Sequence, residues 1–239
     1  MPFPLAHPAA VLPLRRWCPG WFDFSALVIG SMGPDLAYLS GPLHVHDFSH
    51  TFAGTFGFSL PVGFVAWWLV RRFGARLAAL VPVAKGLQFP QPTRLDARRL
   101  AIAALSLLVG AWSHVLWDSF THKEGWMVGQ LPVLRVPVGW ALGHQIKVFQ
   151  LLWYGSTFIG VASLYVVFEM WQWKKQGATT LSAGSTLLRA AALATLAVML
   201  GVIHHLFRAW QMLFLVGFAA VILVLVFAVW LGRPKRLEE

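Results

Sequence analysis

Cysteine is nearly missing from this chain. Its single representative, Cys18, excludes an internal disulfide framework and a thiolate-built zinc centre, so any metal must be held by imidazole and carboxylate. Charge is scarce too, at 12% of residues with nine acidic side chains, against about 25% charged in an ordinary soluble domain. The net charge of +10 does not point to a nucleic-acid partner, because the basic residues sit between apolar runs instead of interleaving with aromatics on a polar face. There is no repeat of 20 to 50 residues and no low-complexity segment, which predicts a single domain over 1–239. The N-terminus has prolines before its first charge and no basic stretch ahead of its apolar part, unlike a cleavable signal peptide.

Apolar residues fill what is left: 58% of the chain is hydrophobic, with 13 Trp and 18 Phe. That composition belongs in a membrane. Apolar runs of about 20 residues, enough to cross a hydrocarbon core of about 30 Å, are Thr51–Val70, Leu100–Phe120, Val148–Phe168, Leu188–Phe207 and Met212–Leu231. The expected fold is therefore all-α, a polytopic bundle of about five transmembrane helices. Residues 1–168 bear the motifs and 169–239 hold the last two spans. "FSALVIGSMG" (24–33), closed by Asp23 and Asp35, is about half the needed length and reads as a re-entrant or interfacial helix packed on protein.

Orientation follows from the basic residues. The segment 71–99 carries seven Lys/Arg and one Asp, the strongest cytoplasmic signal on the positive-inside rule. Within it Thr93-x-x-Asp96 reads as a capping box opening the next helix. Threading from this anchor places the N-terminus outside, with six Lys/Arg in outer segments and thirteen in inner ones.

On that map the ionisable residues gather on one side. His7, Asp35, His44, His46, Asp47 and His50 precede the first span, and His114, Asp118 and His122 lie where the second returns to the same face, with His144 in the next loop. His114 and Asp118 are four residues apart and share a helix face; His46 and His50 repeat the step. Imidazole and carboxylate at this spacing suit Zn²⁺, Mn²⁺ or Fe²⁺. Asp118 is the candidate carboxylate bridge between two metals. Groups this costly near membrane depth are functional candidates by default. His204 and His205 point about 100° apart and are read as interface residues. Glu169 is expected to pair with Lys174, Lys175 or water. Trp112, Trp117, Trp126, Trp140 and Trp153 are expected to form an aromatic belt. Ala53, Gly54 and Gly57 are expected to let helices pack closely.

The motifs "AHPAAVLPL", "IGSMGPDLAY", "SHTFAG", "HVLWDSFTH" and "QLLWYGSTFIG" together resemble the DUF4184 family of bacterial membrane proteins, over about the first 165 residues. That family is similar to YdjM-type inner-membrane proteins regarded as metal-dependent hydrolases, and more distantly to zinc-dependent phospholipase C and P1-type nucleases. The resemblance implies a ligand order met here by His7, Asp35, His50, His114 and Asp118, with His122 an extra ligand or proton carrier. The phospholipases' second His-x-x-x-Glu step is absent, since His144 has no carboxylate four residues on; one or two metals fit better than three.

These expectations describe a hydrolase of the bacterial inner membrane. One or two divalent ions, zinc before manganese or iron, would activate water as hydroxide and polarise a phosphoryl or acyl oxygen at the outer face. Asp118 and His122 are the catalytic candidates, and Lys123, Arg15 and Arg16 the candidates for neutralising a phosphate. A site at this depth implies a lipid or lipid-linked substrate, and the phospholipase likeness favours a phosphoester. The rival is a non-catalytic metal-binding membrane protein, a transporter or assembly factor. Transport predicts polar residues at the midplane of several spans, and the last two spans hold almost none there.

Overall fold

A computed structural model describes residues 4–18, 20–40, 43–80, 96–141, 144–176 and 183–207, and these are mostly helical. A 3-10 turn at Pro4–Ala6 leads into α1 (Pro8–Trp17), with proline in its first turn, where no intrahelical N–H is needed. α2 (Phe24–Met32) starts at Asp23, whose side chain accepts from the Ala26 N–H at 3.0 Å. A 3-10 stretch, Pro34–Ser40, joins it to α3 (Leu43–Ser49). Thr51 caps the short α4 (Phe52–Gly54), which passes through a π-helical turn (Thr55–Ser59) into α5 (Leu60–Leu80).

α6 (Ala97–Thr121) is capped by Asp96, which accepts from the Arg99 N–H at 2.8 Å. The cap is thus Asp96 itself, three residues beyond the Thr93 expected from the capping-box pattern; Thr93 lies outside the described residues. Then come α7 (Trp126–Gln130), a 3-10 turn at Pro132–Arg135, and an antiparallel hairpin of β1 (Pro137–Ala141) and β2 (His144–Lys147). This hairpin corrects the all-α expectation. Pro132, Pro137 and Gly139 interrupt any helix, and Val136, Val138, Trp140 and Ile146 favour extended backbone. α8 (Val148–Gln176) and α9 (Ala183–Phe207) follow.

Three stretches are long and apolar enough to cross a membrane: Phe52–Arg76, Ala97–Gln130 and Val148–Trp171. They coincide with the first three expected spans. The apolar part of α9 among the described residues, Gly184–Met199, is shorter, and Met212–Leu231 lies outside the described residues.

α2 is packed on protein as its half-length demanded. Ala26 of α2, Ala103 and Leu107 of α6, and Trp67 of α5 are buried together, and Leu27 of α2 is buried as well. The α2–α6 approach is set by glycine: a Cβ on Gly30 would stand 2.2 Å from the Leu107 carbonyl oxygen, and one on Gly110 2.4 Å from that of Leu27. Only hydrogen fits at either place. Two of the expected belt tryptophans belong to the interior instead. Trp153 is buried, and Trp112 donates its indole N–H to Thr55 Oγ1 at 3.1 Å while stacking on Phe52. An indole N–H held away from water finds an acceptor inside the fold. Trp126 and Trp140 remain exposed. Glu169 is met by the Tyr165 hydroxyl at 2.7 Å, one helical turn earlier; the Lys174 and Lys175 side chains lie outside the described residues.

Candidate metal centre

Four separate segments deliver side chains to one buried point. His7 directly precedes α1, where Ala6 is pressed on α8: a Cβ on Gly160 would stand 2.9 Å from the Ala6 Cβ. Asp35 is the second residue of the 3-10 stretch after α2. His46 lies in α3 and His50 just beyond it, and the Ser49 hydroxyl ties α3 to the Pro34 carbonyl at 2.9 Å. His114 and Asp118 project from the last turns of α6, with His122 at its C-cap. His7, Asp35, His114 and Asp118 are buried, while His50 and His122 open toward the surface at 16% and 32% side-chain exposure.

The ring tautomers are set by carbonyl acceptors. His114 Nδ1 faces the Ser31 carbonyl at 2.8 Å and His50 Nδ1 the His46 carbonyl at 2.9 Å. A carbonyl oxygen only accepts, so both Nδ1 atoms carry hydrogen and both Nε2 atoms present a lone pair in the neutral ring. Yet the two Nε2 atoms are 3.3 Å apart. His50 Nε2 is 3.3 Å from Asp35 Oδ1 and 3.6 Å from Asp118 Oδ2. His114 Nε2 is 3.4 Å from Asp35 Oδ1 and 3.3 Å from Asp118 Oδ2. Four electron-rich atoms thus converge with no donor between them, an arrangement that repels itself unless a cation stands in the middle. Zinc–nitrogen bonds of 2.0–2.1 Å in a tetrahedron place ligand atoms roughly 3.3–3.4 Å apart. The five separations that involve an imidazole nitrogen lie close to that edge.

Other atoms crowd the same point. The His7 ring stacks on His114 at 3.7 Å between centroids, with His7 Nε2 3.7 Å from Asp118 Oδ1. His122 Nδ1 donates to the Asp118 carbonyl at 3.0 Å and lies 3.8 Å from Asp118 Oδ1. Both oxygens of Asp35 and of Asp118, and the Nε2 atoms of His7, His46 and His122, are buried without a hydrogen-bond partner. Native interiors rarely leave so many polar atoms unmatched. A proton on one Nε2 would satisfy a single contact; a divalent cation satisfies four at once.

The electrostatics outside the spans agree with ligand duty. Burial, then repulsion from the charge that His114 carries when protonated, pushes His7 down to about 3, and burial together with His50 lowers His46. Neutral imidazole is the ligating form. Burial pushes Asp35 up, but the charge and hydrogen bond of a protonated His114, with a hydrogen bond from His50 and the charge of a protonated His7, outweigh it and hold the carboxyl below its usual range. The cluster could hold a metal ion: His7–Asp35–His114, Asp35–His46–His50 and His50–His114–Asp118 each offer ligand atoms within 4.8 Å of one another.

A His/Asp cluster on apolar helices agrees with the motif resemblance, and the match extends past it. The chain belongs to the DUF4184 family. The model of this family, described as a domain of unknown function, matches residues 1–232, so DUF4184 takes in the helices beyond the motif-bearing part. No curated protein and no solved structure matches the chain.

In this DUF4184 member the structure brings together all five expected ligands, His7, Asp35, His50, His114 and Asp118, with His122 beside them. The three expected phosphate-binding cations are not brought to the cluster. Lys123 is 83% exposed and 3.8 Å from Glu124. Arg15 and Arg16 occupy the last turn of α1, a helix length from His7, with Arg15 over the Phe24 ring at 5.0 Å. The side chains of His44, His144, His204 and His205 lie outside the described residues. His46 was visible in sequence only as the first member of a His-x-x-x-His step. The Ser31 carbonyl carried no sequence signal, because any residue supplies one.

Proposed function

We propose that this chain is a membrane-embedded, metal-dependent hydrolase that cleaves a phosphoester of a lipid or lipid-linked substrate. The observation that carries the reading is the facing pair of His50 Nε2 and His114 Nε2 at 3.3 Å, each 3.3–3.6 Å from Asp35 Oδ1 and Asp118 Oδ2. These residues and His7 would hold one or two ions, zinc first. A bound divalent ion supplies Lewis acidity and makes water a nucleophile near neutral pH. Asp118 would hold an ion through Oδ2, beside His50 and His114, and turns Oδ1 toward His7 and His122. His122, more open than the rest, would carry a proton between the centre and solvent. Lys123, exposed just past His122, would attract an anionic headgroup from outside the cluster.

The five-span bundle, with the site at the outer face of a bacterial inner membrane, belongs to the same proposal. It rests on the apolar runs and on the excess of Lys/Arg on the other side. The phosphoester rests on the distant likeness to phospholipase C and P1-type nucleases.

The test begins with metal content of the purified chain, wild type beside Asp118→Asn and His50→Ala. Stoichiometric zinc or manganese lost in both variants supports the centre; a wild type purified without chelators that carries no metal ends the hydrolase reading. A screen over phospholipids and lipid-linked phosphates follows, and bound metal with no hydrolysis of any phosphoester would favour a non-catalytic metal protein.

A further inference from the structure

One cation among His50, His114, Asp35 Oδ1 and Asp118 Oδ2 does not exhaust the unmatched atoms. Asp35 Oδ2 and Asp118 Oδ1 stay buried without a donor, as do the Nε2 atoms of His7 and His46. His46 is arranged as a ligand in its own right. Its Nδ1 faces Asp47 Oδ1 at 3.3 Å, which makes Nδ1 the donor and leaves Nε2 with a free lone pair, the orientation that a carboxylate partner gives a metal-binding histidine. Two ring contacts keep it in place, Tyr38 at 4.3 Å and His50 at 4.2 Å between centroids. A ring nitrogen of His46 and a carboxylate oxygen of Asp35 lie within 4.8 Å of each other and of His50.

We propose a second, weaker divalent-cation site at the outer rim of the centre, held by His46 Nε2 and Asp35 Oδ2, with Asp35 bridging the two ions. This deepens the proposed function and rests on it. Asp35 joins Asp118 as a bridging carboxylate: its Oδ1 faces His50 and His114, and its Oδ2, buried without a partner, is left for the second ion. With two protein ligands, the rim ion completes its shell from water and from an anionic oxygen of the substrate, as hard cations at phosphate sites do. The His46 side chain is 21% exposed, so this ion exchanges with solvent while the inner one is enclosed. Asp47 is a positioning residue: it touches His46 and not the ion.

The experiment is a Mn²⁺ titration of the detergent-solubilised full chain, counting bound ions by electron paramagnetic resonance. Wild type is expected to bind two, the second more weakly, and His46→Ala one. Asp47→Asn should keep both sites and weaken the second by about 10- to 100-fold, the range seen when an outer-shell partner is lost; this variant also answers if His46→Ala fails to fold. Equal stoichiometry in wild type and His46→Ala, or an unchanged second affinity in Asp47→Asn, overturns the rim site and leaves the inner centre standing. A wild type that binds no Mn²⁺ and carries no metal overturns the centre itself.

Discussion

His114 and Ser31 are joined by a 2.8 Å hydrogen bond from the imidazole Nδ1 to the backbone carbonyl. The tautomer of a candidate ligand on α6 is thereby set by the last turn of α2. Metal affinity then depends on how closely the two helices pack. Gly30→Ala places a methyl group 2.2 Å from the Leu107 carbonyl oxygen, forces α2 outward, and should cost about 1–3 kcal/mol of stability along with metal affinity. Gly155, whose added Cβ would meet nothing within 4 Å, supplies the control. Equal melting temperatures for Gly30→Ala and Gly155→Ala would show that α2 does not constrain the centre.

Asp118 places one oxygen among the imidazoles and the other toward His7. Asp118→Asn keeps the shape and removes the charge, so two buried imidazoles lose their anionic neighbour without leaving a cavity. Metal affinity should fall by at least about 100-fold, the upper end for merely outer-shell losses, and under the proposed function phosphoester hydrolysis should vanish with it. Leu116→Ala, on the exposed face of the same helix, should change neither. Retention of metal by Asp118→Asn at wild-type affinity would remove this residue from the ligand set.

Much of this centre was legible in the sequence for a definite reason. Membrane depth makes ionisable residues costly, so those present stand out against apolar neighbours, and basic-residue asymmetry puts both halves on one face. His114 and Asp118 followed from helical spacing, and the first three spans from run length. The hairpin at 137–147 was missed because its short segments, broken by proline and glycine, sit among loop-like residues. Arg15 and Arg16 were placed near the site because the sequence does not show that α1 runs away from His7. Which carboxylate bridges depends on the partners of single oxygen atoms, and spacing carries no information on that.

Acid should weaken the metal-free fold through His7. Its folded value, held down to about 3 by burial and by His114, lies below the value near 6.5 of an unfolded histidine. The unfolded chain therefore binds the extra proton between these limits. His7's contribution to stability is complete above about pH 6.5 and declines as pH falls toward 3, by up to about 1.4 kcal/mol per unit. Thermal melts of the chelated protein from pH 7.5 to 5 should fall more steeply for wild type than for His7→Gln. Parallel curves would assign the acid sensitivity to another group.

Cys18 can report which way the N-terminal helices run. α1 carries the chain about 15 Å from His7, at 1.5 Å per residue, and α2 brings it back, so the turn between them lies far from the centre. Its level on α6 is marked by the Asp23 N–H, which donates to Ser106 Oγ at 2.9 Å, eight residues and about 12 Å before His114. The turn thus points toward the Asp96 end of α6, the side that basic residues mark as cytoplasmic. Arg15 and Arg16 then join the inner count, leaving four Lys/Arg outside against fifteen inside, a stronger asymmetry than sequence threading alone produced. The half-buried thiol of Cys18 is the chain's sole cysteine, so it needs no engineered background. A membrane-impermeant maleimide should label it in inverted inner-membrane vesicles and spare it in intact cells, with Cys18→Ser as the blank. Labelling from outside intact cells would mean that the bundle is inverted and that the metal centre faces the cytoplasm.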